Sequence, residues 1–178
     1  MGIGGSGMSS IAKYLKQKGY HVEGYDQRIS YITNLLENDG VRTYQNYEDF
    51  IYEKDVLYII SSAVNLNNTF LKNFKKNKNV ISRPNFFREL SNEKDIIGIT
   101  GTHGKTSTTA LVSHIFQFNN KNVSFIYGGV SSFGYLGGHC GEDNLPLILE
   151  TDEAFNTFKN INIKAVSYTH LRAHETQW

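Results

Sequence analysis

The sequence predicts an α/β protein of parallel sheets joined by crossover helices. Three observations carry that prediction: seven short β-rich runs, helical patterns between several of them, and two glycine turns that each open a helix. The runs are YHVEGYD at 20–26, DVLYIISS at 55–62, NVISR at 79–83, DIIGIT at 95–100, NVSFIYGG at 122–129, LPLILET at 145–151 and IKAVSY at 163–168. A chain of 178 residues has room for one large domain, or for one domain and part of another.

The first helix is read from SSIAKYLKQKG, where Ile11, Tyr14 and Leu15 fall on one stripe and Gly19 stops the pattern. YITNLLENDG repeats the arrangement with Ile32, Leu35 and Leu36 before Gly40. In STTALVSHIFQF the apolar side is read as Ala110, Leu111, His114, Ile115 and Phe118, which makes His114 a core histidine and not a ligand. SFGYLGGHCGEDN, rich in glycine and polar residues, reads as a loop or hairpin connection. A domain boundary is expected near 91–95, where SNEKD precedes the strand that feeds the second glycine turn.

Lys plus Arg is 18 and Asp plus Glu is 17, so the net charge of +1 gives no electrostatic reason to expect nucleic acid or an anionic membrane. Affinity for phosphate must then be local. A single cysteine, Cys140, excludes an internal disulfide and fits a reducing compartment. No apolar run approaches the roughly 20 residues of a spanning helix, and the N-terminus has no basic region followed by a signal core. The expectation is a cytoplasmic protein without membrane insertion.

GIGGSGMSS places Gly2, Gly4 and Gly7 in G-x-G-x-x-G spacing ahead of a helix. Glycines let the backbone approach a diphosphate, and the free N–H groups and dipole of the new helix favour its negative charge. Asp26 ends the next strand 19 residues after Gly7, where a carboxylate would accept a hydrogen bond from a ribose hydroxyl. The glycines leave the identity of the nucleotide open. A strand is expected before such a loop, yet only Met1 stands ahead of Gly2.

The second turn, Gly101-Thr102-His103-Gly104-Lys105-Thr106, follows DIIGIT, and Ile99 stands where the usual Walker spacing asks for glycine. N–H groups between a strand and a helix start converge on phosphate oxygens. Lys105 adds a mobile cation for the β- and γ-phosphates, Thr106 is placed to give its hydroxyl to Mg²⁺, and Ser107 to ligate or buttress phosphate. His103 orients phosphate or shapes the loop, and both readings stand. LILETDEAF puts Glu150, Asp152 and Glu153 at the carboxyl end of a strand, the edge where α/β sheets bind ligands. Mg²⁺ takes oxygen ligands of this kind beside substrate phosphates.

GIGGSGMSSIA, GYD, SSAV, GITGTHGKTSTT and ETDE together resemble, in order and spacing, segments of the Mur ligases of peptidoglycan synthesis, over roughly residues 1–166. The shortened ATP loop is a trait of that family, which accounts for Ile99. The resemblance implies a Rossmann-like parallel-sheet UDP-sugar-binding domain over 1–92, its first strand missing, and the start of a P-loop ATP-binding Mur ligase central domain over 93–166. Residues 167–178 are then a non-native tail. It implies that Gly4, Gly5, Ser6, Gly7 and Met8 hold the UDP part of a UDP-sugar, with Asp26 and the Ser61-Ser62-Ala63 turn near the uridine and diphosphate. It implies further that Gly101, Thr102, His103, Gly104, Lys105, Thr106 and Ser107 hold ATP, that Thr106 and Glu150 hold Mg²⁺, and that Lys105 and Glu150 serve catalysis. The implied reaction joins L-alanine to UDP-N-acetylmuramate through an acyl phosphate, with the chain as given inactive alone.

Two departures from the family pattern stand out. Ala154 and Phe155 follow ETDE where the family has a polar or aromatic residue and then Asp, and SYTHLRAHETQW replaces the family's continuation, so His170 and His174 are not read as a zinc pair. A half-built second sheet is expected to leave apolar faces such as that of Ile148 poorly covered. An NAD(P)-dependent Rossmann protein would account for the first loop and Asp26 and leave the lysine loop unexplained. The Mur ligase that recycles murein tripeptide shares many of these motifs, and a non-catalytic nucleotide-binding fragment is the remaining alternative.

Overall fold

The computed structural model describes residues 1–46, 49, 53, 55–64, 79–151 and 161–168. Helix α1 spans Ser6–Gln17 and buries Met8, Ile11, Ala12 and Tyr14. Gly19, at φ +95°, takes the left-handed conformation that lets the chain leave the helix. Strand β1 (Glu23–Tyr25) follows, then helix α2 (Tyr31–Asn38). Ser30 and Thr33 start α2 with a reciprocal capping box, each side chain accepting the other's backbone N–H. Strands β2 (Arg42–Tyr44), β3 (Tyr58–Ile60) and β4 (Val80–Ser82) complete the first half.

Pairing here is parallel, β1 with β2 and β3 with β4. Met1–Ile3 lie between the two pairs: the Gly2 and Ile3 N–H groups donate to Tyr25 O at 2.8 and 3.1 Å, and on the other side Ser61 N donates to Met1 O at 3.1 Å. The Met1 amino group donates to Ile59 O at 2.9 Å. Three residues thus connect β1 to β3 where a first strand is expected, and the glycine loop begins at their carboxyl end.

Helix α3 (Arg83–Glu93) was not legible as a helix in the β-rich reading of NVISR. Ser82 caps it by accepting the Asn85 N–H, Pro84 stands in its first turn where no N–H is needed, and Phe86, Phe87 and Leu90 bury its inner face. The boundary expected near 91–95 therefore falls in its last turn and the junction to the next strand. Lys94, at that junction, is buried and donates to Ser124 Oγ and Glu142 O, both at 3.0 Å.

The second sheet has the order β7-β6-β8-β5-β9, made of β5 (Ile96–Thr100), β6 (Ser124–Val130), β7 (Leu136–His139), β8 (Leu147–Glu150) and β9 (Ile163–Tyr168). All neighbours are parallel except the edge pair β6 and β7. Leu147, Ile148 and Leu149 are each 0 % exposed, the unbroken apolar run of a strand covered on both faces. Ile148 is therefore fully covered, against expectation, by Ile99 and Val123 together with Val112 and Phe116 of helix α4 (Lys105–Phe118).

Two further expectations are corrected. The stripe read on α4 faces outward: Leu111, Ile115 and Phe118 are 59, 52 and 79 % exposed, and His114 is exposed too. Thr109 and Ser113 face the sheet instead, their hydroxyls donating back to Lys105 O and Thr109 O at 2.8 and 2.7 Å. These small side chains satisfy their own polar atoms within the helix and permit close packing, which a count of apolar positions cannot register. Ser167 and Tyr168, assigned to the tail, continue β9 in register with Ile99 and Thr100, whereas of the two readings of SFGYLGGHCGEDN the hairpin holds, with β7 inside it pairing antiparallel with β6. His170, His174, Asp152, Glu153, Ala154 and Phe155 lie outside the described residues.

The two halves are joined through α1, which sits against β6 and β7 of the second sheet. Ser10 Oγ donates to Tyr127 O at 2.7 Å, Cys140 N donates to Gln17 Oε1 at 2.9 Å, and a Cβ on Gly138 would run into the Ser10 carbonyl. A cavity of about 450 Å³ lies under α1, lined by Tyr14, Leu15, Phe86 and Leu90 among others. The Tyr14 hydroxyl is buried with no hydrogen-bond partner among the described residues, and burial raises its pKa.

Candidate functional site

The first loop owes its shape to glycine and to one carboxylate. Gly2 has φ +76°, and Gly4 presents its N–H to Asp26 Oδ2 at 2.8 Å. A Cβ on Gly4 would lie 2.9 Å from that oxygen, so only glycine closes the contact. Asp26 Oδ1 accepts the Arg28 N–H at 3.1 Å. Asp26 is thus the strut of the loop as well as its acidic neighbour. Gly5 caps α1 by its backbone, accepting the Met8 and Ser9 N–H groups at 3.0 and 2.9 Å, and no side chain caps the helix. Met8 turns its side chain into the core beside Ile11, Tyr14 and Phe86, so it offers a ligand only its backbone.

The Ser61-Ser62-Ala63 turn stands at the carboxyl end of β3, next to this loop. Ser61 Oγ accepts the Ala63 N–H at 3.3 Å, and a Cβ on Gly2 would lie 3.1 Å from Ser61 Cβ. The first loop, Asp26 and Ser61 are accordingly brought together along one sheet edge.

The second loop bends at Gly101 (φ +132°) and Gly104 (φ +75°), the conformations that favour glycine, and Gly104 is the N-cap of α4. Lys105 folds back so that Nζ donates to Gly101 O at 2.6 Å, placing its ammonium over the loop's own concavity. His103 is exposed, with Nδ1 3.3 Å from Thr102 Oγ1, and Ser107 is exposed one residue beyond Thr106.

Glu150 ends β8 beside this loop. Thr106 Oγ1 donates to its two carboxylate oxygens at 3.0 and 3.2 Å, and Gly128 N donates to Oε2 at 2.6 Å. The donor set fits magnesium: a hydroxyl and a carboxylate, both hard oxygen donors held side by side, with further positions for phosphate oxygens and water. Among the described residues no group of three or more His, Cys, Asp or Glu is placed to hold a metal by itself.

Two participants escaped the sequence reading. Gly128, on β6, lies between the first loop and the end of β8: a Cβ on it would lie 3.4 Å from Ser6 Oγ and 3.6 Å from Glu150 Oε2. Arg83, first residue of α3, reaches the first loop so closely that a Cβ on Gly7 would run into its Nη1. Both line a cavity of about 130 Å³ with Ser6, Gly7, Phe87 and Glu150. The signal for Gly128 was the glycine pair ending NVSFIYGG; Arg83 had only its place between a capping serine and Pro84.

Comparison with known proteins bears on this arrangement. A UDP-N-acetylmuramate–L-alanine ligase from Ruthia magnifica subsp. Calyptogena magnifica is 33 % identical over 185 residues, covering 100 % of this chain and 39 % of that protein. The enzyme of the same name from Rickettsia felis is 35 % identical over 162 residues, covering 90 % of this chain and 34 % of its own length. The chain thus spans between a third and two fifths of these relatives. The crystal structure of UDP-N-acetylmuramate-alanine ligase from Thermotoga maritima superposes with a TM-score of 0.84 at 30 % identity, over 98 % of this chain and 41 % of that one. Among the described residues no helix is long and apolar enough to cross a membrane. The model of the Mur ligase family, catalytic domain, matches residues 1–95, more than half of the 178, and the chain belongs to the Mur ligase family.

Proposed function

We propose that this chain is the amino-terminal part of a cytoplasmic, ATP-dependent ligase that joins L-alanine to UDP-N-acetylmuramate in peptidoglycan precursor synthesis. The observation that carries the reading is that the first loop and Glu150 border one cavity, while Thr106 of the second loop lies 3.0 Å from Glu150. Within this reading residues 1–92 hold the UDP-sugar, and residues 93–166 begin the ATP-binding unit.

The chemistry is acyl activation. A carboxylate oxygen of the sugar's lactyl group attacks the γ-phosphorus of ATP, and the bond from that phosphorus to the bridging oxygen breaks with its electron pair leaving on ADP. The amine of L-alanine then adds to the acyl carbon, the bond from that carbon to phosphate oxygen breaks, and inorganic phosphate departs, with one proton released overall.

The difficulty is electrostatic, since an anion must approach a triphosphate. Lys105, already over the loop, supplies a cation to the γ-phosphate as negative charge accumulates. Thr106 and Glu150 would hold magnesium, which when bound neutralises charge on the β- and γ-oxygens. The Gly128 N–H and Thr106 hydroxyl keep the Glu150 carboxylate in one orientation. Glycines at 2 and 4 bring the diphosphate against the start of α1, where unpaired N–H groups receive it.

Calorimetric titration of the 178-residue chain with UDP-N-acetylmuramate, MgATP and NAD separately tests the proposal. Saturable binding of the first two and none of NAD is expected. Binding of NAD in place of the UDP-sugar would overturn it.

A further inference from the structure

Strand β6 pairs with β8 through Ser124, Phe125 and Ile126, and its register with β7 breaks between Ile126 and Val130. Gly128 lies inside that break. Among the described residues no strand partner is in register with it, and its N–H turns to the end of β8 instead, as an irregularity beside a site can re-aim a group. It donates to Glu150 Oε2 at 2.6 Å, a charge-assisted bond shorter than either contact from Thr106.

Thr106 Oγ1 stands 3.0 and 3.2 Å from the two carboxylate oxygens, which places it in the fork between them. A cation bound by both oxygens at once would sit in that fork. With the fork filled and Oε2 held by Gly128, Oε1 is the oxygen left to a metal. Thr106 Oγ1 and Glu150 Oε1, 3.0 Å apart, also suit neighbouring corners of an octahedron. With metal–oxygen bonds of about 2.0–2.1 Å such an edge is about 2.8–3.0 Å long. Magnesium demands that geometry, whereas calcium takes roughly six to eight oxygens at longer bonds and accepts both oxygens of one carboxylate.

We infer that Gly128 is a specificity-determining residue: its backbone N–H limits Glu150 to one free oxygen, and so selects magnesium over calcium at the second loop. The inference rests on the function proposed above and adds to it the group that chooses the cation. Without that N–H, the carboxylate is free to turn about its last torsion and offer both oxygens to a larger ion.

The test is calorimetry of the 178-residue chain with MgATP and with CaATP. The parent should bind MgATP about tenfold more tightly, the value of one charge-assisted hydrogen bond. G128A keeps the N–H and adds a Cβ 3.4 Å from Ser6 Oγ and 3.6 Å from Glu150 Oε2, ordinary contact distances, so it should keep that ratio. G128P adds the same Cβ but lacks the N–H, and should bring the ratio close to one. A glycine-selective ¹⁵N label follows the bond in the parent itself and needs neither variant to fold. The Gly128 amide, shifted downfield by its short bond, should hold its position with MgATP and move upfield with CaATP.

A parent that binds both complexes equally, a G128P chain that keeps the parent's ratio, or a G128A chain that loses it would overturn the assignment and leave the ATP reading standing. A Gly128 amide that responds alike to the two complexes would overturn it likewise. If the parent bound neither complex, the function proposed above would fall, and the inference with it.

Discussion

Lys105 and Asp26 show how differently two loop residues can be built. Among the described residues the Lys105 ammonium has one hydrogen-bond acceptor, Gly101 O, and α4 is otherwise started by Gly104 and its backbone. Lys105→Ala should therefore keep the urea midpoint of the parent and lower ATP affinity by about ten- to a hundredfold, the contribution of roughly 1.5–3 kcal/mol expected of a lysine on phosphate. An unchanged ATP isotherm on a folded variant would mean the loop does not serve phosphate. Asp26 instead carries the first loop, with one oxygen on Gly4 N–H and the other on Arg28 N–H. Asp26→Ala should cost about 1–3 kcal/mol in urea unfolding without any ligand, because two backbone donors lose their acceptor. A variant as stable as the parent would reduce Asp26 to a ligand contact. The spacing from Gly7 to Asp26 marked the residue; that its carboxylate points at the loop depends on β1 lying beside Met1–Ile3, a long-range pairing that spacing does not encode.

Secondary structure was legible where an element is long or punctuated. All seven β-rich runs contain strands, and Gly19 and Gly40 end α1 and α2 as their patterns implied. Strand β2, Arg-Thr-Tyr, lies in a polar stretch with no apolar run to mark it. Strand β7 is LGGH, and its glycines left a loop and a hairpin both open until α1 is known to lie on it: a Cβ on Gly138 would meet the Ser10 carbonyl, and one on Gly137 the Tyr127 ring and carbonyl. Gly138→Ala must then lift α1 or bend β7, and should destabilise by about 1–3 kcal/mol, as overpacking does. A change near zero in urea unfolding would show the α1–β7 contact to be looser than described.

The same strand carries a pH response. His139 stacks on Phe125 with ring centroids 5.2 Å apart, its Nε2 is 2.7 Å from Asn122 Oδ1, and burial, aided by the charge of Lys13, holds its pKa below the ordinary 6.5. The unfolded chain then takes up the proton first, so this contribution to stability is intact above about pH 6.5 and is lost as pH falls through the lowered folded value. His139→Gln should flatten the decline in urea midpoint between roughly pH 7.5 and 5.5. Parallel curves for parent and variant would remove His139 as the cause.

At the scale of the molecule, α1 couples the halves. It follows the first glycine loop in sequence and packs on β6 and β7 in space, so the loop at its start is set at a fixed distance from Gly128 and Glu150. Sequence motifs located each loop separately; that the first loop and Glu150, the partner of Thr106, border one cavity is a consequence of that packing and could not be read from either. The chain accounts for 39 % of the Ruthia relative and 41 % of the Thermotoga one, and α4 presents Leu111, Ile115 and Phe118 to solvent. None of the described residues has a role assigned toward the amine. Holding ATP, carboxylate and amine together in line can be worth about 7–11 kcal/mol of barrier, so two sites without the third should bind without turning over. The 178-residue polypeptide is expected to release no ADP in response to UDP-N-acetylmuramate and L-alanine together. Extending it with the carboxy-terminal portion of a full-length relative, in place of residues 169–178, should produce ADP release that requires both substrates. A coupled assay with each substrate omitted in turn reads this directly. Doubly dependent ADP release by the 178-residue polypeptide alone would refute the expectation, and would require the amine site to be formed within this chain or between two copies of it.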